Sequence, residues 1–134
     1  MYHPHQPTPA AQATQAPFTH RSIAQLQDQL RSGHTTSTVL VQQCLAAMQA
    51  HNPSLNAVVV DGSAQALAAA QQADAELANR ARGANSTNSP SAQPLGPLHG
   101  IPFTIKESFD VQGWPTTCGL PARAQHQAAQ HSAV

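Results

Sequence analysis

Lys106 leaves the end of a short apolar segment, Phe103-Thr104-Ile105, and that placement can make a lysine into a proton acceptor. Period two puts Phe103 and Ile105 on one face of an extended segment and Thr104 with Lys106 on the other. Pro102 can open such a strand but cannot sit inside it. An ammonium held at a buried strand end loses solvation, so the neutral amine is favoured and can act as a general base near neutral pH. The plainer reading is a solvated lysine that terminates an edge. Glu107 and Asp110 follow closely, and an ion pair with either returns the amine to its charged form. Spacing alone leaves both outcomes open.

The other residues with reactive side chains read as structural. His3 with His5 and His126 with His131 lie in low-complexity flanks. Neither spacing puts two imidazoles on one helical face, so no metal site is expected. Cys44 falls on the apolar stripe of a predicted helix, where a buried structural thiol is the expected role. Cys118 follows Pro115-Thr116-Thr117 without a paired histidine and is read the same way. Two isolated cysteines make neither a disulfide framework nor a zinc ribbon, which points to a reducing cytoplasm. Trp114, between Gly113 and Pro115, is expected to plug the adjacent core, and Thr116 and Thr117 to cap a turn with their hydroxyls. No cofactor is expected.

The elements that must position Lys106 begin with a helix pair. Ser22 is an N-cap before Ile23, Leu26 and Leu30 at helical spacing, and Gly33 supplies a left-handed stop. Thr36 or Ser37 starts a second helix carrying Leu40, Val41, Cys44, Leu45 and Met48, which Pro53 is expected to end. Asn56 to Val60 is apolar and β-branched, as a short buried strand requires, and Asp61-Gly62 closes it. From Ser63 to about Arg80 the residues are strong helix formers around Leu67, Ala70, Ala73 and Leu77. Residues 83–94 read as a flexible surface loop and residues 1–18 as a disordered leader. His131 to Val134 reads as the first turn of a further helix.

Composition narrows the partners. Charged residues make up 9% of the 134 residues and cancel to a net charge of 0, so no field steers the chain onto nucleic acid or anionic lipid. No apolar run approaches the roughly 20 residues that span a bilayer, and the N-terminus lacks a secretory apolar core. Aromatics are only 4%, so the core the chain can build alone is thin. A soluble cytoplasmic protein is expected.

Gly96-Pro97-Leu98-His99-Gly100-Ile101-Pro102, then Ile105-Lys106-Glu107, then Gly113-Trp114-Pro115-Thr116-Thr117 resemble the N-terminal part of the amidase signature family. Arg31-Ser32-Gly33 and His51-Asn52-Pro53 leading into Leu55-Asn56-Ala57-Val58 are similar to that family's opening, so the resemblance covers most of Ser22 to Pro121. It implies an α/β fold, the N-terminal portion of an α/β/α sandwich with helices around a mixed sheet, incomplete here, over residues 19–134. It implies a small-molecule amide substrate and a catalytic set of one serine, a second serine with a cis peptide bond, and a lysine, which falls on Lys106. The Gly/Ser-rich signature that supplies both serines does not occur before Val134. The expectation is therefore a truncated hydrolase, inactive alone. The family often has Asp and Asn after the lysine, where this chain has Glu107 and Ser108; that favours a plain amidase over an amidotransferase-like protein. A homodimer of the parent enzyme stays open. The alternative from another class is a non-catalytic helical module presenting Leu26, Leu30, Leu40 and Leu45 to a partner.

Overall fold

The computed structural model describes residues 20–83 and 95–133. The expected leader and nearly all of the expected 83–94 loop lie outside those residues, and Gly83 is the last residue of a helix rather than the first of a loop. Helix α1, Ile23–Arg31, starts from a capping box: Ser22 Oγ accepts the Gln25 N–H at 3.2 Å, and Gln25 Oε1 accepts the Ser22 N–H at 2.8 Å. It ends at Ser32, and Gly33 turns the chain with φ +73°, the left-handed conformation that favours glycine. Helix α2, Ser37–Leu55, is capped by Thr36, whose hydroxyl accepts the Val39 N–H at 3.2 Å.

Pro53 does not end α2. It lies within the last turn, where its missing N–H forgoes one hydrogen bond but only two helical residues follow, and the helix closes with Asn56 at φ 48°, whose N–H still donates to the Asn52 carbonyl at 2.7 Å. The strand expected from Asn56 to Val60 does not form either. Val58 instead exchanges both backbone bonds with the Asn52 side chain, its N–H donating to Oδ1 at 2.8 Å and its carbonyl accepting from Nδ2 at 2.9 Å. An asparagine amide thus does for one residue what a neighbouring strand would do for several, and Val59 is left 60% exposed.

Helix α3, Ser63–Gly83, follows Asp61, which accepts the Ser63 N–H at 2.8 Å and the Ser63 hydroxyl. The hydroxyl, then the backbone N–H, holds the Asp61 carboxyl below its ordinary range. α3 packs along α2. The core is the cluster of Leu26, Leu30 and Leu40, with Leu77 and Ile101 packed against it. Of the four leucines that a helical interaction module would present, Leu26, Leu30 and Leu40 are buried in this cluster and Leu45 is half-buried. Ile23, expected on the same stripe, is 53% exposed.

The last third of the described chain is irregular. Residues 101–106 form no strand, and no ladder strand occurs among the described residues; Phe103 is 79% exposed and Ile105 49%. A single strand needs a partner to satisfy its backbone and a surface to cover its apolar face, and neither is present among these residues. What order exists comes from a return pass. Gly113 N–H donates to the Ala128 carbonyl at 2.8 Å, Ala128 N–H to the Trp114 carbonyl at 3.0 Å, and Pro115 bridges Gln127 antiparallel. A 3-10 turn, Pro121–Arg123, reverses the chain between the passes. The expected helical turn at His131 does not form, because Ser132 is taken up by this pass: its hydroxyl accepts the Asp110 N–H at 2.8 Å, and its N–H donates to the Asp110 carbonyl at 2.9 Å.

Candidate active site around Lys106

Lys106 stands where the extended segment meets a turn. Upstream, Gly100 at φ +77° lays the chain against α1 and the start of α2, so closely that an added Cβ would be 3.4 Å from Leu30 Cδ1 and Ser37 Cβ. His99 ties the same corner to α3: its Nε2 donates to the Ala73 carbonyl at 3.2 Å, and its Nδ1 lies 3.9 Å from Glu76. Downstream, the Lys106 carbonyl accepts the Phe109 N–H at 2.9 Å. The backbone of the lysine is therefore held from both sides.

The side chain is exposed, which corrects the burial expected for it. The cause is the bare 103–105 segment, which nothing covers. Lys106 is the single lysine of the chain. Among the described residues it makes no ion pair, unlike Arg31, which lies 3.9 Å from Asp28, and His99, which lies 3.9 Å from Glu76.

The neighbouring carboxylate explains part of this. Glu107 is engaged elsewhere and accepts the backbone N–H groups of Thr117 and, at 2.8 Å, of Cys118. Cys118 at φ 52° and Gly119 at φ +70° bend the loop so that successive N–H groups face one oxygen pair. The Thr117 N–H, then the Thr117 hydroxyl, hold the Glu107 carboxyl below its usual range, and Arg123 adds its positive charge. Thr117 also caps the turn as expected, accepting the Gly119 N–H at 3.2 Å. Thr116 does not: its hydroxyl is buried, 1% exposed, with no hydrogen-bond partner among the described residues.

Trp114 plugs a gap between segments. Its ring edge lies against Gly62, where an added Cβ would be 2.2 Å from Trp114 Cη2. Cys44 is half-buried, and burial pushes its thiol up, away from the reactive thiolate. Cys118 is exposed rather than structural, although its N–H is engaged by Glu107. His131 accepts the Gln112 N–H at 3.2 Å through Nδ1, and no group of three or more His, Cys, Asp or Glu among the described residues could hold a metal. No helix among them is long and apolar enough to cross a membrane.

Sequence reasoning misses the Glu107 clamp. Its signal is weak but present: a carboxylate 10 residues before a Thr-Cys-Gly turn, whose glycine permits the left-handed backbone that exposes N–H groups.

Known proteins are similar to this sequence over most of its length. The chain is 42% identical over 105 residues to an indoleacetamide hydrolase of Bradyrhizobium diazoefficiens, covering 78% of this chain and 18% of that protein. It is 30% identical over 113 residues to an acylamidase of Rhodococcus erythropolis, covering 84% of this chain and 21% of that one. It is also 37% identical over 98 residues to one component of the glutamyl-tRNA(Gln) amidotransferase of Methylobacillus flagellatus, covering 73% and 17%. The chain thus spans about a fifth of the length of these relatives. The sequence model of the amidase family matches residues 39–134, which takes in the whole corner from Gly100 to Gly119, and the chain belongs to the amidase family.

Proposed function

We propose that this chain contributes the lysine of an amide-hydrolysing enzyme, with Lys106 as the proton acceptor of a serine relay. The observation that carries the reading is the single lysine of the chain standing inside the family match, on a fixed backbone and unpaired by its neighbouring carboxylate. In this mechanism neutral Lys106 takes a proton through a bridging serine as the nucleophilic serine attacks the amide carbonyl. The amine leaves with a proton, and water then releases the acid from the acyl-serine. The substrate class is a small-molecule amide, in keeping with the hydrolase names of two of the relatives. Glu107-Ser108 favours hydrolysis over the amidotransferase reading.

Residues 19–134 act in this reading as the N-terminal part of a larger α/β domain. The remaining family sequence supplies both serines, the oxyanion-hole amides and the partner strands for residues 103–105. Covering Phe103 and Ile105 would also desolvate the Lys106 amine, the route by which a lysine becomes a base near neutral pH. Such groups act as a unit, so the 134 residues alone turn over no amide. The test is a graft in which residues 39–134 replace the matched segment of the Bradyrhizobium diazoefficiens indoleacetamide hydrolase. Retained hydrolysis of indoleacetamide supports the reading, and a folded but inert graft counts against it.

A further inference from the structure

We infer that Glu107 is a positioning residue for Lys106, acting by withdrawal: its clamp on the Thr117 and Cys118 amides fixes the backbone beside the lysine and keeps the negative charge next in sequence off the amine. The inference rests on the proposed role of Lys106 and adds a reason for its neighbour. A carboxylate next in sequence to a catalytic lysine is otherwise an obstacle, since an opposite charge within about 4–6 Å favours the ammonium form. Here that obstacle is removed locally. Both Glu107 oxygens are engaged, one by the Thr117 N–H and one by the Cys118 N–H. The Arg123 charge acts on the same carboxylate. Asp110, the other nearby acid, is held through its backbone, which exchanges two hydrogen bonds with Ser132.

The geometry also explains why side-chain length matters at this position. The clamp spans 10 and 11 residues of sequence, and its anchor is a loop already fixed by Trp114 on Gly62 and by the 126–128 return pass. A shorter acid cannot keep both amides while the loop stays in place, so its charge returns to the neighbourhood of Lys106. An uncharged amide of the same length loses one acceptor but brings no charge back.

The experiment uses the 134-residue chain, in which Lys106 is the single lysine, so acylation by a small amine-directed ester is read on one internal peptide by mass spectrometry. The wild-type chain, Glu107→Asp and Glu107→Gln are labelled at one pH and low salt, with amide exchange at residues 117 and 118 followed in parallel. Glu107→Asp is expected to slow acylation about threefold, an effect removed by high salt. Glu107→Gln is expected to label at the wild-type rate although residues 117 and 118 exchange faster. A merely structural glutamate would change the exchange in both variants and the acylation in neither. The inference is overturned if Glu107→Asp labels like wild type, or if Glu107→Gln labels clearly faster, because the charge then was never withdrawn. Labelling does not depend on turnover, so this outcome is separate from the fate of Lys106 as a base.

Discussion

The Asp74 carboxylate on α3 accepts the backbone N–H of Ser37 at 2.6 Å, from the first turn of α2 and 37 residues away in sequence. Its second oxygen accepts the Thr38 N–H at 3.0 Å and the Thr38 hydroxyl at 2.7 Å. A negative charge on the unsatisfied N–H groups of a helix start is favourable both as a cap and against the helix dipole. This one side chain therefore ties α2 to α3 beside the leucine core, with Ser37 only 3% exposed.

Asp74→Ala is expected to destabilise the chain by about 2 kcal/mol, the scale of a lost cap plus charge-assisted hydrogen bonds. Asp74→Asn should cost roughly half as much, since one oxygen still accepts. Urea unfolding followed by helical circular dichroism checks both values. Equal stability of all three proteins would mean that the helix pair is held by its leucines alone.

The Trp114 ring against Gly62 sets a second expectation. Gly62→Ala introduces a Cβ where the ring now lies, so the indole must move, at a cost of about 1–3 kcal/mol for overpacking. Trp114 is the chain's single tryptophan, and its fluorescence should shift to the red as it becomes more solvated. An unchanged spectrum with unchanged stability would show that the ring does not rest there.

Helix starts and the Gly33 stop are legible because their signals are local, whereas Pro53 does not end α2 and α3 runs on to Gly83. Ser22 and Gly33 each act within one turn and the structure uses both, while of the two starts open for α2, Thr36 or Ser37, it uses Thr36; the Gln25 half of the first cap is not among the expected signals. Lys106 stands out by type, but its expected place at the end of a buried strand is not the exposed place it has here. What is not legible depends on distant partners. The segments 56–60 and 103–105 have strand composition, but a strand is a relationship, and among the described residues no second strand answers them. Asn52 answers Val58 instead. Likewise, nothing near Asp74 or Glu107 in sequence reveals the amides they bind. Whether Glu107 pairs with Lys106 depends on the position of the 117–118 loop, which spacing does not supply.

The Glu107 clamp should also set a pH dependence. Its carboxyl is held below the ordinary glutamate range by the Thr117 and Cys118 amides. The stability it contributes is therefore fully present above the unfolded glutamate value of about 4.3, and is lost as pH falls through the lower folded value. Asp61, lowered by Ser63, acts in the same direction. Exchange protection of the 117 and 118 amides is expected to survive at about pH 5 and to disappear only under more acidic conditions. Hydrogen exchange by nuclear magnetic resonance gives the midpoint, and loss of protection already at about pH 5 would contradict the clamp.

The central claim is that Lys106 accepts the proton, and the most direct measurement is kcat/KM for indoleacetamide in the grafted hydrolase carrying Lys106→Ala or Lys106→Arg. Deleting one member of a coupled relay is expected to cost several orders of magnitude in turnover, roughly 10³-fold or more, with the fold of each variant checked by circular dichroism. The arginine variant should fail as severely, since a guanidinium stays protonated and cannot accept. Near-parental turnover in either variant, in a graft that hydrolyses its substrate, would contradict the assignment of the base to Lys106.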